Sequence, residues 1–159
     1  LPEVRKIVGL ISDTHGLLRP SAMSALRGSD LILHAGDVGA PGILDALKAL
    51  APVVAVRGNV DTGGWGETLP LTEVIQVGTV TIYMLHILQD LDINPAAAGF
   101  QIVVSGHSHK PSQSEKDGVL YVNPGSAGPK RFQLPLTVAR LDVGARRLKA
   151  EFISLGEQD

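Results

Sequence analysis

Two histidines separated by one serine, in Gly106-His107-Ser108-His109, stand out in a chain of 159 residues that has only five histidines and no cysteine. Upstream lie more side chains able to do similar chemistry: Asp13 and His15 in Asp13-Thr14-His15, Asp37 after Gly36, Asn59 after Gly58, and His86. Imidazole nitrogens, carboxylate oxygens and one amide carbonyl form a ligand set suited to Mn, Fe(II), Co, Ni or Zn, and without thiolates. Two divalent ions about 3.5 to 4 Å apart need one ligand that touches both, and a carboxylate has two oxygens. Asp37 suits that bridge.

Taken one at a time, these residues have plainer readings. Asp13 could close a turn or cap the segment that follows. Asp37 and Asn59, each after a glycine, are common turn residues. His86 could be a hydrogen-bonded core histidine. The pair in Gly106-His107-Ser108-His109 is harder to explain so simply. On a β-like segment, residues two apart share a face and residues one apart do not, so a regular strand would set both imidazoles on one side. On an irregular loop they can reach two neighbouring ions. The two-ion reading uses all seven residues at once.

The elements needed to gather them can be read from apolar periodicity. Lys6 to Ile11, Leu31 to His34 and Pro52 to Val56 are short apolar, β-branched runs that predict buried parallel strands. Between them, Pro20 to Arg27 and Pro41 to Leu50 have helical spacing with a proline near each start. The first half therefore reads β-α-β-α-β. In the second half, Thr72 to Val77 and Val80 to Leu85 flank Gly78-Thr79, and Ser112 to Lys116 and Val119 to Val122 flank Asp117-Gly118. Both are hairpin signals. Gln101 to Val104 reads as a further strand, Leu136 to Asp142 and Arg147 to Ser154 as a last hairpin around Gly144, and Asn94 to Ala98 as a short helix. The fold class expected is α/β, a two-sheet β-sandwich flanked by helices, with residues 1–159 forming one domain. Every candidate ligand then follows the carboxyl end of a strand, the edge where open α/β sheets bind ligands.

Composition narrows the function classes. Hydrophobic residues make up 44% and charged residues 19%, close to globular averages, so a disordered chain is not expected. The net charge of −2 offers no basic field for a long nucleic acid. The absence of cysteine excludes a disulfide framework, a zinc-thiolate site and a cysteine nucleophile. No run approaches the roughly 18 apolar residues of a membrane span, and a cytoplasmic location is the expectation. Self-association into a homo-oligomer is left open.

The ordered set Asp13-Thr14-His15, Gly36-Asp37, Gly58-Asn59, His86 and Gly106-His107-Ser108-His109 resembles the calcineurin-like metallophosphoesterases. The short length, Arg57-Gly58-Asn59-Val60-Asp61 and Asn123-Pro124-Gly125-Ser126 make the chain similar to the small bacterial and archaeal phosphodiesterase branch, which includes the retromer scaffold subunit. The resemblance runs from Ile7 to about Leu141 and implies an α/β/β/α sandwich. It implies one ion held by Asp13, His15, Asp37 and His109, and a second held by Asp37, Asn59, His86 and His107, with manganese the first choice. The reaction implied is hydrolysis of a small phosphate ester by a metal-activated water.

Two positions depart from the wider family. Val60 stands where many relatives place a histidine thought to protonate the leaving group, and the small branch also lacks it. With the branch resemblance, this implies a preference for phosphodiesters over monoesters. Ile87 stands where many relatives have glycine. Behind the ligands, His34 and Asp61 are expected to pack or hydrogen-bond, and Asn123 either to support the site or to make a turn. Lys130 and Arg131 could meet a substrate phosphate or lie solvated, and Trp65 could border the cleft or anchor a loop. Two alternatives accompany the hydrolase reading: a catalytically weak protein-binding scaffold of the same fold, and a nuclease acting on long DNA.

Overall fold

The computed structural model describes residues 5–131, 133–144 and 146–156. Its strands are β1 (Ile7–Ile11), β2 (Leu31–His34), β3 (Val53–Ala55), β4 (Thr72–Val77), β5 (Val80–Leu85), β6 (Ile102–Val104), β7 (Ser112–Lys116), β8 (Val119–Asn123), β9 (Thr137–Asp142) and β10 (Ala150–Ser154). The helices are α1 (Pro20–Leu26) and α2 (Pro41–Lys48), each begun by a proline whose missing N–H costs nothing in the first turn. Differences from the expected elements are confined to one to three residues at their ends, with one exception described below.

The strands form two five-stranded sheets, ordered β10-β9-β1-β2-β3 and β4-β5-β6-β8-β7. In the first, β1, β2 and β3 run parallel, and in the second β5, β6 and β8 run parallel. The other four strands pair antiparallel at the flanks. The two tight hairpins obey turn chemistry: Asp117 and Gly118 both have positive φ, as a type I′ turn requires, while Gly78 has positive φ at the first position of its two-residue loop.

Period-two alternation sorts side chains between layers. Val8, Leu10 and Leu33 from the first sheet meet Ile82, Met84, Ile102, Val104 and Val122 from the second in the core between the sheets. On the other face of the first sheet, Ile11 and Ile32 pack beneath the helices with Leu26, Ile43 and Leu47. The outer face of the second sheet carries a smaller apolar group, Tyr83, Leu85 and Val103, covered by Leu91 and Phe100.

That outer covering departs from expectation. Residues 94 to 98 form turns rather than a helix: Ala98 N–H donates to Asn94 O, Phe100 N–H to Pro95 O and Gly99 N–H to Ala96 O, so the bond spacing never repeats. Gly99 adopts φ 82° and the Asn94 side chain takes the Ala97 N–H, which ends the first turn before a helix can propagate. Among the described residues, no helix is long and apolar enough to cross a membrane.

The layering predicts that Leu33→Ala, fully buried between the sheets, costs about 2 to 5 kcal/mol. Val74→Ala on β4, 55% exposed, should change stability by less than about 0.5 kcal/mol. Urea unfolding midpoints of the two variants check this contrast.

Candidate functional site

The carboxyl ends of the six parallel strands meet along one edge of the sandwich, and the loops that leave them carry the candidate ligands. Asp13 and His15 follow β1, Asp37 follows β2, Asn59 follows β3, His86 follows β5, and His107 and His109 follow β6. Asn123 ends β8. Six described non-glycine residues have positive φ, and five of them are Asp13, His15, Asp37, His107 and His109. The sixth is Asp117 in its hairpin turn. Left-handed backbone is unfavourable for such residues and persists only where surrounding structure enforces it. Here it turns side chains inward as soon as each strand ends.

All seven candidate ligands come together. Asp13, His15 and His109 form one group, and Asp37, His86 and His107 another, each with its ligand atoms within 4.8 Å of one another. Asp13 Oδ1 lies 3.3 Å from His109 Nε2 and 3.8 Å from His15 Nε2, and the two Nε2 atoms are 3.4 Å apart. Asp37 Oδ2 lies 3.2 Å from His86 Nε2 and 3.6 Å from His15 Nε2, so one oxygen faces both groups. Asn59 Oδ1 sits 3.1 Å from His107 Nδ1.

The hydrogen bonds around these atoms test whether a cation fits. Ser12 Oγ donates to Asp13 Oδ2 at 2.6 Å and the His107 N–H donates to the same oxygen at 3.1 Å, while the buried Asp13 Oδ1 has no hydrogen bond among the described residues. His86 Nδ1 donates to Ala35 O at 2.7 Å, so the neutral ring turns its Nε2 lone pair inward, and that buried atom also has no hydrogen bond among the described residues. Asp37 Oδ1 accepts the Val60 N–H at 3.0 Å. The outer atoms of Asp13, His86 and Asp37 are thus fixed, whereas His109 Nδ1 is buried without a hydrogen bond among the described residues, and the inner atoms converge on one another. Such a set is satisfied by positive charge, and the N/O donors fit a divalent cation.

Electrostatics point the same way. Burial pushes the Asp13 carboxyl up, but His109, His15, Ser12 and the charge of His86 outweigh it and hold Asp13 well below the ordinary carboxylate range. Asp37 follows the same pattern: burial raises it, and His86 and the Val60 N–H bring it below its usual value. Burial lowers His86, yet the two carboxylates leave it raised. Two carboxylates that remain ionised in a buried site create a strongly negative potential.

Residues behind the ligands hold the loops in register. Thr14 Oγ1 donates to Val38 O, so His34 Nε2–H must donate to Thr14, while His34 Nδ1 accepts the Gly36 N–H. This fixes the neutral tautomer of a fully buried imidazole that ties the loop after β1 to the loop after β2. Asp61 accepts the Val38, Gly39 and Gly58 N–H groups and ties the loop after β2 to that after β3. Asn123 donates to Gly106 O and Ser108 Oγ, bracing the loop that carries both His107 and His109. Trp65 packs with the cluster beneath the helices, and Lys130 and Arg131 are exposed.

Reading the sequence alone missed Ser12 and the purpose of the glycines. A Cβ at Gly58 would overlap the Asp37 carboxylate, and one at Gly106 would overlap Ser12 Oγ. The signal was present in the repeated order of glycine before Asp37, Asn59 and His107, which now reads as space for ligands rather than as turn chemistry.

His34 gives a measurable consequence. Burial pushes it down to about 4, against the pull of Asp13 and Asp61. An unfolded imidazole takes up a proton near ~6.5, so the unfolded state binds more protons between that pH and about 4. The stability contributed by neutral His34 is therefore full above ~6.5 and lost as pH falls through about 4, by on the order of 3 kcal/mol. In urea titrations with chelator, the stability difference between wild type and His34→Gln should shrink across this window. A difference independent of pH would contradict the assignment.

Comparison with known proteins places the chain. The sequence model of the calcineurin-like phosphoesterase superfamily domain matches residues 7–146. A probable metallophosphoesterase of Methanothermobacter thermautotrophicus is 33% identical, the alignment covering 94% of this chain and 93% of that one. Among solved structures, vacuolar protein sorting 29 from Cryptosporidium parvum has a TM-score of 0.75 at 21% identity, covering 96% of this chain and 100% of the other. A novel archaeal phosphodiesterase has a TM-score of 0.71 at 19% identity, covering 92% and 99%. At such identities the two structures attest the shared sandwich fold. With the family match over most of its length and a full-length relative at 33% identity, the chain belongs to the calcineurin-like phosphoesterase superfamily.

Proposed function

We propose that this chain is a dinuclear-metal phosphoesterase that hydrolyses small phosphodiesters. The observation that carries the reading is the pair of buried ligand atoms, Asp13 Oδ1 and His86 Nε2, 3.8 Å apart and without a hydrogen bond among the described residues, with Asp37 Oδ2 3.2 Å from His86 Nε2. Asp13, His15, Asp37 and His109 hold one ion, and Asp37, Asn59, His86 and His107 the other, with manganese as first choice and Fe, Co, Ni or Zn chemically equivalent in ligand type. Bound divalent ions supply Lewis acidity, which activates water and offsets charge on the phosphate.

The protein's own part is to orient and to exclude. His86 is locked by Ala35 O, and Asp13 by Ser12 and the His107 N–H, so neither side chain needs to reorganise when charge shifts during the reaction. Val60, 44% exposed, carries no proton to give a departing alkoxide. Leaving groups that depart as stable anions are then favoured. Support for the diester preference comes from this missing acid and from the archaeal phosphodiesterase of the same fold.

A second reading is a weakly catalytic scaffold, favoured by the fold shared with vacuolar protein sorting 29. The full set of inward-facing donors weighs toward hydrolysis, because a docking surface elsewhere on the sandwich would not require it.

With Mn, bis-p-nitrophenyl phosphate should be hydrolysed faster than p-nitrophenyl phosphate, and a faster monoester would overturn the diester preference. Asp37→Ala and Asn59→Ala should each lower kcat/KM by at least about a hundredfold while circular dichroism keeps the wild-type spectrum. Elemental analysis of protein purified without added metal should find bound divalent ions. A protein free of metal that hydrolyses neither ester would return the scaffold reading.

A further inference from the structure

Two pockets open beside the second candidate group, one on each side of the short turn after His86. The larger, about 410 Å³, borders Asn59 and His86 and has apolar walls from Leu71, Tyr83, Leu85 and Ile87. The smaller, about 180 Å³, borders His107 and is lined by Ser108, Ser112, Ser114, Tyr121 and Gln89. The turn Leu88–Asp90 and the residue before it divide them: Ile87 and Asp90 line the larger pocket, Leu88 and Gln89 the smaller.

Their chemistry differs for a reason visible in the strands. Ser112 and Ser114 lie two apart on β7, opposite Asn123 and Tyr121 of β8, so all four side chains share one face of the sheet. Tyr83 and Leu85 occupy the matching face of β5. That is the face where residues 94 to 98 leave turns instead of a helix. Among the described residues, no Lys, Arg, Asp or Glu lines the smaller pocket. In the larger, Arg57 is accompanied by Asp90 and Asp92, so the described lining offers no cationic track for a second phosphate or a nucleic-acid strand.

Resting on the phosphoesterase reading, we infer that the two pockets take the two ester arms of one small phosphodiester. The larger receives an apolar arm, aromatic or short alkyl. The smaller receives an uncharged, hydroxyl-bearing arm of glycerol or sugar size, met by the hydroxyls of Ser112, Ser114 and Tyr121, which make no hydrogen bond to other described residues. The phosphate lies between them, next to Asn59, His86 and His107. A monoester fills one pocket and leaves the other to water.

The test is binding, followed by amide NMR shifts on zinc-loaded protein, with phenyl glyceryl phosphate and methyl phenyl phosphate as probes. The phenyl group should perturb Leu71, Leu85 and Ile87 with either probe, and only the glyceryl arm should add shifts at Ser112, Ser114 and Tyr121. Leu71→Asp should weaken both probes about tenfold, and Ser112→Phe should remove an advantage of about tenfold held by the glyceryl ester over the methyl ester. Equal affinity of the two esters, both arms mapping to one pocket, or no binding would overturn the inference. A two-pocket map without turnover sinks the hydrolase reading and leaves the arm assignment standing. Turnover without that map sinks the arm assignment alone.

Discussion

Two carboxylates held ionised out of water, Asp13 and Asp37, are the constraint around which this molecule is organised. Burying an unpaired charge is costly, and two of one sign in one site are costlier still. Each is therefore met on its outer oxygen by a fixed donor, Ser12 and the His107 N–H for Asp13 and the Val60 N–H for Asp37. Their inner oxygens face imidazoles. What remains uncompensated is room for positive charge, and the rest of the architecture serves to keep that room open.

The sandwich provides the rigid part. Six parallel strands, three in each sheet, end along one edge, and the core between the sheets fixes the distance between those ends. The loops provide the strained part. A left-handed residue at five candidate-ligand positions turns the chain sharply, and glycines at 58 and 106 let a carboxylate or a serine approach the backbone. His34, Asp61 and Asn123 then tie loop to loop, so that strain in one is resisted by its neighbours. Stability and site geometry share the same hydrogen bonds here, and a substitution behind the ligands acts on both.

The second sheet's outer face shows where local sequence misleads. Asn94 to Ala98 has helical composition, but Pro95 and Gly99 bracket too few residues, and Asn94 bonds its own turn. The turns that result leave Leu91 and Phe100 to cover Tyr83 and Leu85.

By itself, the sequence determined the residue types of the site and the strands that carry them. Short apolar, β-branched runs, prolines at helix starts and the Asp117-Gly118 turn are local signals, and they placed every strand within a few residues. The order of Asp13, His15, Asp37, Asn59, His86, His107 and His109 was legible for the same reason: each follows a strand, and strand ends are marked by the change from apolar to polar residues. Tertiary structure alone decided that β5, β6 and β8 run parallel and bring His86, His107 and Asn123 to the edge already occupied by β1, β2 and β3. Asp37 as the shared ligand was legible in the sequence, whereas tertiary structure alone decided which of its oxygens faces both groups, which imidazole nitrogen points inward, and that two unlike pockets flank one of them. These depend on distances between residues far apart in the chain, and such distances are set by packing between sheets, to which no local pattern of residues is sensitive.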